Sequence, residues 1–591
     1  MAYQSTRLVA TTSLVAALIG CGNSAHDGSN STGGSGTSTS GTGNNGNSGG
    51  SSNAGTAANA GSGTTAKTGG TGGSSGSGGA PASGGSNSLA GGGGSSGMTA
   101  TAGSSAGGSS GVGAGGASGA SGNGAGGSAG AAVTGGLTLT IDPNPNSVLS
   151  CFVSWKTDQA SNSVVQFGEA AYDFEISDDT LVTDHKVLVI GMHASKSYMI
   201  KAISGSASGT GTFMTGTLPA QIPVGTVMIN DTSKSVAGWT LMNVQQGGTD
   251  NRPRSSVPPA AVMYDAGGQP VWYYIDGPGP DIGGAVSTQL TDTGVVIGPT
   301  WNQQNTNGVP PREVDFAGNI IWECKHAACA AGKDVTHETK KLSNGHYVIL
   351  EYVGSSAQNP VFRELDADSN EVWTFDWVSL LPAPSGSTGD WCHANAITID
   401  IAKNEVYANC RWVGLMKATY TNPTKTWLIP AKYGSKGLGD FTFVPSTSQY
   451  DDAHDPEYHD DDNTVLFYDN GGWSGSVDTV AGGDYHSRAV EYTIDASAGT
   501  ATLTWEYPGS FTPPDDWYTT KWYSPFWGDV DRLSNGNILI TGGMIGASKP
   551  ESRVFEVTKA DGKVVWELRL PVNFGVYRSD RITPPLVHAA K

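Results

Sequence analysis

Three histidines, His337, His393 and His454, each stand where a short extended run begins, and they lie 56 and 61 residues apart. Near neutral pH an imidazole can act as a nucleophile, carry a proton or ligate a metal, so three of them brought together make a site for group transfer or for metal binding. Arg411, in Ala408-Asn409-Cys410-Arg411, follows His393 by one strand. A guanidinium beside three imidazoles repels a bound cation and offers a rigid fork of donors matched to sulfate or phosphate. The plain structural alternative is an arginine paired with a nearby carboxylate such as Asp455 or Glu338. Aromatic residues that could stack on a substrate ring are Trp412, Trp473, Trp527 and Tyr577.

The elements that must position these residues are visible as a repeat. A strand ending in tryptophan recurs as Asp265 to Trp272, Asp315 to Trp322, Asp366 to Trp373, Tyr420 to Trp427, Asp495 to Trp505 and Lys559 to Trp566, each with a turn of Gly, Asn or Pro inside it. The four letters Leu342-Ser343-Asn344-Gly345 return at Leu533 to Gly536, and Asn-Gly between alternating apolar runs is a strong hairpin signal. Short strands with a period of about fifty residues predict an all-β chain, with residues 220 to 591 forming a six-bladed β-propeller as the catalytic domain. In such an array equivalent points of successive blades face the central channel, so the three histidines converge.

With that placement, the ordered motifs resemble those of the bacterial arylsulfate sulfotransferases, periplasmic six-bladed propellers with an N-terminal β-sandwich. The resemblance rests on Asp390-Trp391-Cys392-His393-Ala394-Asn395, on Arg411 eighteen residues after His393, on His454-Asp455-Pro456 leading to Leu466-Phe467-Tyr468-Asp469-Asn470-Gly471, on His337 ahead of Leu-Ser-Asn-Gly, and on Tyr577-Arg578. It implies ping-pong transfer of a sulfuryl group from a phenolic sulfate ester to a phenol, without nucleotide donor, cofactor or metal, through a sulfated histidine. His454 would be the nucleophile, with Asp455 or another acceptor fixing its tautomer. His337, His393, Asn395 and Arg411 would surround the sulfuryl oxygens, one of the two histidines would protonate the leaving phenolate, and Asn395, Tyr577 and Trp527 would contact substrate. Thr336, where many relatives carry a second histidine, and Ala394 depart from the pattern and bear on substrate range.

Upstream, residues 137 to 219 hold runs such as Phe152-Val153-Ser154-Trp155 and Tyr198-Met199-Ile200-Lys201 that resemble a small fibronectin III-like β-sandwich, a candidate surface for a homodimer. Residues 22 to 136 are almost wholly Gly, Ser, Ala, Thr and Asn, which cannot bury enough apolar surface to order. Such a coil spans roughly 60 Å as a tether. The 16 Trp, 20 Tyr and 14 Phe all lie beyond it except Tyr3. At the N-terminus, Arg7, an apolar run and Leu18-Ile19-Gly20-Cys21 resemble the signal peptide and lipobox of bacterial lipoproteins. Residues 1 to 21 are then a signal peptide ending at a lipidated Cys21, and the expected location is the outer membrane, on its periplasmic or cell-surface side. Export permits disulfides: Cys324 and Cys329 suit a small loop, and Cys392 and Cys410 could bridge or stay as two buried thiols.

A net charge of −20 with no basic cluster argues against nucleic acid as a partner. Two other functions fit parts of the pattern. A metal-dependent hydrolase would use the three histidines for zinc or the run Asp455 to Asp462 for calcium, and a non-catalytic surface propeller would use the anchor and tether to display a binding face.

Overall fold

The computed structural model describes residues 136–586 except 247–257, 278–281, 284–286, 300, 303–308, 355–356, 433–436, 472–486, 511–522, 525 and 546–550. Among them, six four-stranded antiparallel sheets follow one another as the blades of a β-propeller. Their innermost strands are Ser579–Ile582 in the first blade, then Thr288–Leu290, Val335–Lys341, Ala394–Asp400, Ala453–His459 and Asp529–Arg532. The ring is closed twice. The C-terminal strand Ser579–Ile582 becomes the inner strand of the first blade by pairing Trp239–Gln246, and the early strand Thr226–Asn230 adds to the outer edge of the sixth by pairing Val564–Arg569.

The repeated tryptophan has a structural cause. Each lies on the outermost of the four blade strands and reaches the next blade. Indole N–H groups donate from Trp272 to the Phe316 carbonyl, from Trp373 to Tyr420, from Trp505 to Lys559 and, across the closure, from Trp566 to Ala266, at 2.8–3.0 Å. Trp322 instead stacks on Tyr347 with centroids 3.7 Å apart. A large apolar ring carrying one donor suits a position that must fill the wedge between two sheets and still satisfy a turn carbonyl.

The segment before the propeller is built on a long hairpin, Cys151–Gly168 with Phe174–Val189. Thr140–Pro143 pairs one half of Cys151–Gly168, and Ser197–Ser204 pairs the other half and carries Ala207–Met214. All five strands are therefore linked in one hydrogen-bonded ladder. Its core, including Val153, Trp155, Phe167 and Ile200, is continuous with Trp239, Val271, Trp272, Val295 and Phe316 of the first two blades. Asn144 and Asn146 amides donate to the Ala317 carbonyl, and His193 Nε2 lies 2.8 Å from Asp265. This domain packs against blades one and two, whereas the three histidines belong to blades three, four and five. No helix among the described residues is long and apolar enough to cross a membrane.

Candidate active site

His337 is the third residue of Val335–Lys341, His393 immediately precedes Ala394–Asp400, and His454 is the second residue of Ala453–His459. At this level each inner strand breaks register with its neighbour, between Val335 and Thr339, between Ala394 and Ala396, and between His454 and Glu457. Bulges of this kind re-aim side chains at sites. His337, His393, Asp455 and Trp527 also adopt positive φ, at 58°, 53°, 36° and 59°. The other non-glycine residues with positive φ are serines and asparagines. For histidine or tryptophan that conformation costs about 1–3 kcal/mol and persists only where surrounding contacts impose it.

The result is a buried cluster. The His337 and His393 rings meet edge to face with centroids 5.0 Å apart, and the Tyr577 ring stands edge-on to His337, His454 and Trp527 at 6.0, 6.1 and 6.3 Å. His454 Nδ1 lies 2.6 Å from Asn470 Oδ1, while its Nε2 is buried without a hydrogen-bond partner. Burial, then the positive charge of Arg411, holds the His454 pKa well below the ordinary 6.5. His337 is displaced the same way by burial, then by His393, Arg578 and Arg411. Its Nδ1 meets the Thr336 hydroxyl at 2.9 Å, so the residue that departs from the pattern supplies a hydrogen bond, and its Nε2 is likewise buried without a partner. His393 differs: its Nδ1 bonds the Asp390 carboxylate, which also accepts the His393 backbone N–H at 2.8 Å.

Arg411 is fully buried and pairs with Asp452 at 3.2 Å. Its backbone N–H donates to the His393 carbonyl at 2.9 Å. Disulfides join Cys324 to Cys329 and Cys392 to Cys410, and the second clamps the neighbours of His393 and Arg411 to each other. Cys151 is a buried free thiol.

Several sequence expectations are corrected by this geometry. Of the two options for the His454 tautomer, Asp455 or another acceptor, the second is the one present: Asn470 holds that nitrogen. Neither Asp455 nor Glu338 pairs with Arg411, because both face Arg578: Arg578 binds Glu338 at 2.9 Å, Asp455 at 3.2 Å and the Asn395 carbonyl at 2.6 Å. The Asn395 amide has protein partners on both its atoms. It donates to the Ala453 carbonyl at 2.9 Å and accepts from Asn409 at 2.8 Å, which makes it a bracket between blades four and five. The acidic run is consumed by cations, Asp460 by Lys403 and Asp462 by Arg532. Among the described residues no three His, Cys, Asp or Glu side chains are grouped to hold a metal ion.

Tyr577 and Trp527 are both buried beside the histidines. The Tyr577 hydroxyl donates to the Asn395 carbonyl at 3.2 Å, and the Trp527 indole N–H has no partner. Trp412 lies 4.9 Å from His393, and Trp473 is outside the described residues.

Arg578 ties the inner strands of blades one, three, four and five together. Arg578→Met would leave fully buried Glu338 with Lys340 alone, at 3.7 Å, and would take the ion-pair partner from Asp455. The expected loss of stability is about 3–5 kcal/mol, read from the urea unfolding midpoint.

A β-propeller whose inner strands gather three histidines near a buried guanidinium has the groups that group transfer to and from an oxyanion needs. The family model for arylsulfotransferases (ASST) matches residues 241–578, and the chain belongs to that family. The protein is accordingly an aryl sulfotransferase independent of the nucleotide sulfate donor, and aryl sulfates and phenols fit as its substrates. Among solved structures, the periplasmic gluconolactonase PpgL of Pseudomonas aeruginosa is 11% identical over 58% of this chain and 100% of its own, with a TM-score of 0.32. The β-propeller domain of Cps50 (Swd1) from Myceliophteria thermophila is 10% identical over 60% of this chain and 88% of its own, with a TM-score of 0.30. No curated protein matches the chain.

Proposed function

We propose that sulfuryl transfer proceeds by a ping-pong route through a sulfated His454. The observation that carries this reading is the His454 ring itself, fully buried, bonded through Nδ1 to Asn470, and with Nε2 unpartnered beside Arg411. In the first half-reaction the Nε2 lone pair attacks sulfur, the bond from sulfur to the aryl oxygen breaks, and the phenolate leaves with that electron pair and takes a proton. In the second, the acceptor phenol gives its proton to the same carrier as its oxygen attacks sulfur. The bond from sulfur to Nε2 then breaks, and the lone pair returns to His454. A phenolate leaves more readily than an alkoxide because phenol has a pKa near 10.

His393 is the proton carrier in this reading. Its Nδ1 rests on a carboxylate, which stabilises the imidazolium, whereas His337 rests on a hydroxyl. In the same reading the Thr336 hydroxyl is the donor to Nδ1, and His337 offers an Nε2–H to the sulfuryl oxygens. Asp390→Asn should then slow transfer according to the leaving group. The effect is small for 4-nitrophenyl sulfate, whose phenolate needs little protonation, and about a hundredfold for unsubstituted phenyl sulfate. Equal losses on both esters would remove His393 from the role.

The test of the reaction uses the full chain with 4-nitrophenyl sulfate, with and without a phenol, followed by intact mass. Nitrophenolate release that needs the acceptor, with a sulfuryl adduct on His454 when it is absent, supports the reading. No release and no adduct across several aryl sulfates would replace it with a non-catalytic binding propeller.

For location, we propose an outer-membrane lipoprotein held through diacylated Cys21. The support is the apolar run and Leu-Ile-Gly-Cys at the N-terminus, and mass spectrometry of the mature N-terminus tests it.

A further inference from the structure

We propose that Asn470 is a positioning residue that fixes His454 with its proton on Nδ1 and its lone pair on Nε2, an inference that rests on the sulfohistidine reading above. A side-chain amide can set a tautomer only if its own orientation is fixed, since its oxygen and nitrogen are otherwise interchangeable. Here it is fixed. Asn470 Nδ2 lies 2.8 Å from the Ser524 carbonyl and 2.8 Å from the Trp527 carbonyl, so both amide hydrogens have acceptors. Turned over, the amide would set its oxygen against two carbonyl oxygens and take the amide donor from the Trp527 carbonyl in a buried site, while the Ser524 carbonyl would keep only the Ser487 hydroxyl at 3.2 Å.

The surroundings hold it from behind. Ser487 Oγ donates to the Asn470 carbonyl at 3.0 Å and accepts the Ser524 N–H at 2.9 Å, and the Asn470 N–H donates to the Asp452 carbonyl at 2.7 Å. With the amide held this way, the group 2.6 Å from His454 Nδ1 is Oδ1, which only accepts. Nδ1 must therefore carry the hydrogen, and in a neutral ring Nε2 keeps the lone pair. The charged and titratable groups around the ring do not favour a second proton. Arg411, His393 and His337 all oppose it, Asp452 is engaged by Arg411, and Tyr577 lies edge-on at 6.1 Å. Asp455, the next residue, is turned to Arg578 and shares a hydrogen bond with Asp529.

Asn470 touches no reacting atom, so its test needs readouts that a packing role would not move. The full chain, labelled with nitrogen-15 in histidine, is examined by long-range proton–nitrogen correlation, with His454 assigned by the signals lost in His454→Gln. The expected wild-type spectrum shows His454 with hydrogen on Nδ1 and bare Nε2, unchanged between pH 6 and 8. Asn470→Ala should mix the tautomers and lower kcat by about 10- to 100-fold with KM little changed. In Asn470→Asp a carboxylate faces Nδ1 and stabilises the imidazolium, although its second oxygen gives up the bonds to the Ser524 and Trp527 carbonyls, so transfer should fall at pH 6 and rise with pH, while wild type keeps its activity.

A wild-type His454 with its hydrogen on Nε2 overturns the proposal without any variant, and so does an alanine variant that keeps the wild-type tautomer and kcat. If the wild-type ring carries the expected tautomer yet forms no sulfuryl adduct, the sulfohistidine reading fails and the positioning by Asn470 stands.

Discussion

His454→Ala is expected to leave no transfer above the uncatalysed background and no sulfuryl adduct, whatever the aryl sulfate. The expectation follows from the proposed route, in which His454 alone carries the sulfuryl group. His337 rests on Thr336 and is edge-on to His393, and His393 is held by Asp390. Loss of the ring leaves Asn470 with an unpaired oxygen, but its amide hydrogens keep the Ser524 and Trp527 carbonyls, so the scaffold should survive. His454→Gln is the companion variant, polar and of similar length but without an imidazole. Either variant transferring at a rate comparable to wild type would end the covalent mechanism. Direct displacement between bound donor and acceptor, with the same donors around the sulfuryl group, would then have to account for the activity.

How much of this site could be read from the letters depends on the range of the interaction. The tryptophan repeat was legible because its spacing from a turn is local and its role is the same in every blade. The phases of His337, His393 and His454 were legible for the same reason: inner strands begin at equivalent points of the period. Partners were not. A bulge between His454 and Glu457 turns Asp455 toward Arg578, and strict strand alternation gives no warning of it. Arg411 takes Asp452, two residues before His454, and the amide of Asn395 is spent on Asn409 and the Ala453 carbonyl. Asn470 acts on carbonyls 54 and 57 residues away, which no local pattern records.

One signal was available and unread. Asn243 and Asn409 lie near the ends of the second strands of blades one and four, and Asn470 directly follows that of blade five. Each fastens backbone or side chains at the site: Asn243 Oδ1 accepts the Tyr577 N–H at 2.7 Å, and Asn409 donates to Asn395 and to the Ala453 carbonyl. Asparagine is disfavoured within strands, so its presence in or just after the second strands of three blades marks the shell that holds the histidines.

Arg411→Ala is expected to lower kcat by on the order of a hundredfold or more, as when one preorganised donor to a developing oxyanion is removed. The fork is buried and held by Asp452, and the Arg411 main chain is tied to the His393 carbonyl, so little reorganisation is needed when charge shifts onto the sulfuryl oxygens. The same pairing complicates the variant, because alanine breaks the buried ion pair with Asp452, a loss of about 3–5 kcal/mol in stability. A buried carboxylate at that place would also repel the sulfuryl oxygens. Adding Asp452→Asn to Arg411→Ala separates the effects: stability should return toward wild type while kcat stays low. Arg411→Lys keeps the charge but not the planar pair of donors, and should fall between wild type and alanine. Recovery of kcat together with stability in the double variant would show that Arg411 only balances Asp452, and His337 with His393 would then have to carry the sulfuryl charge alone.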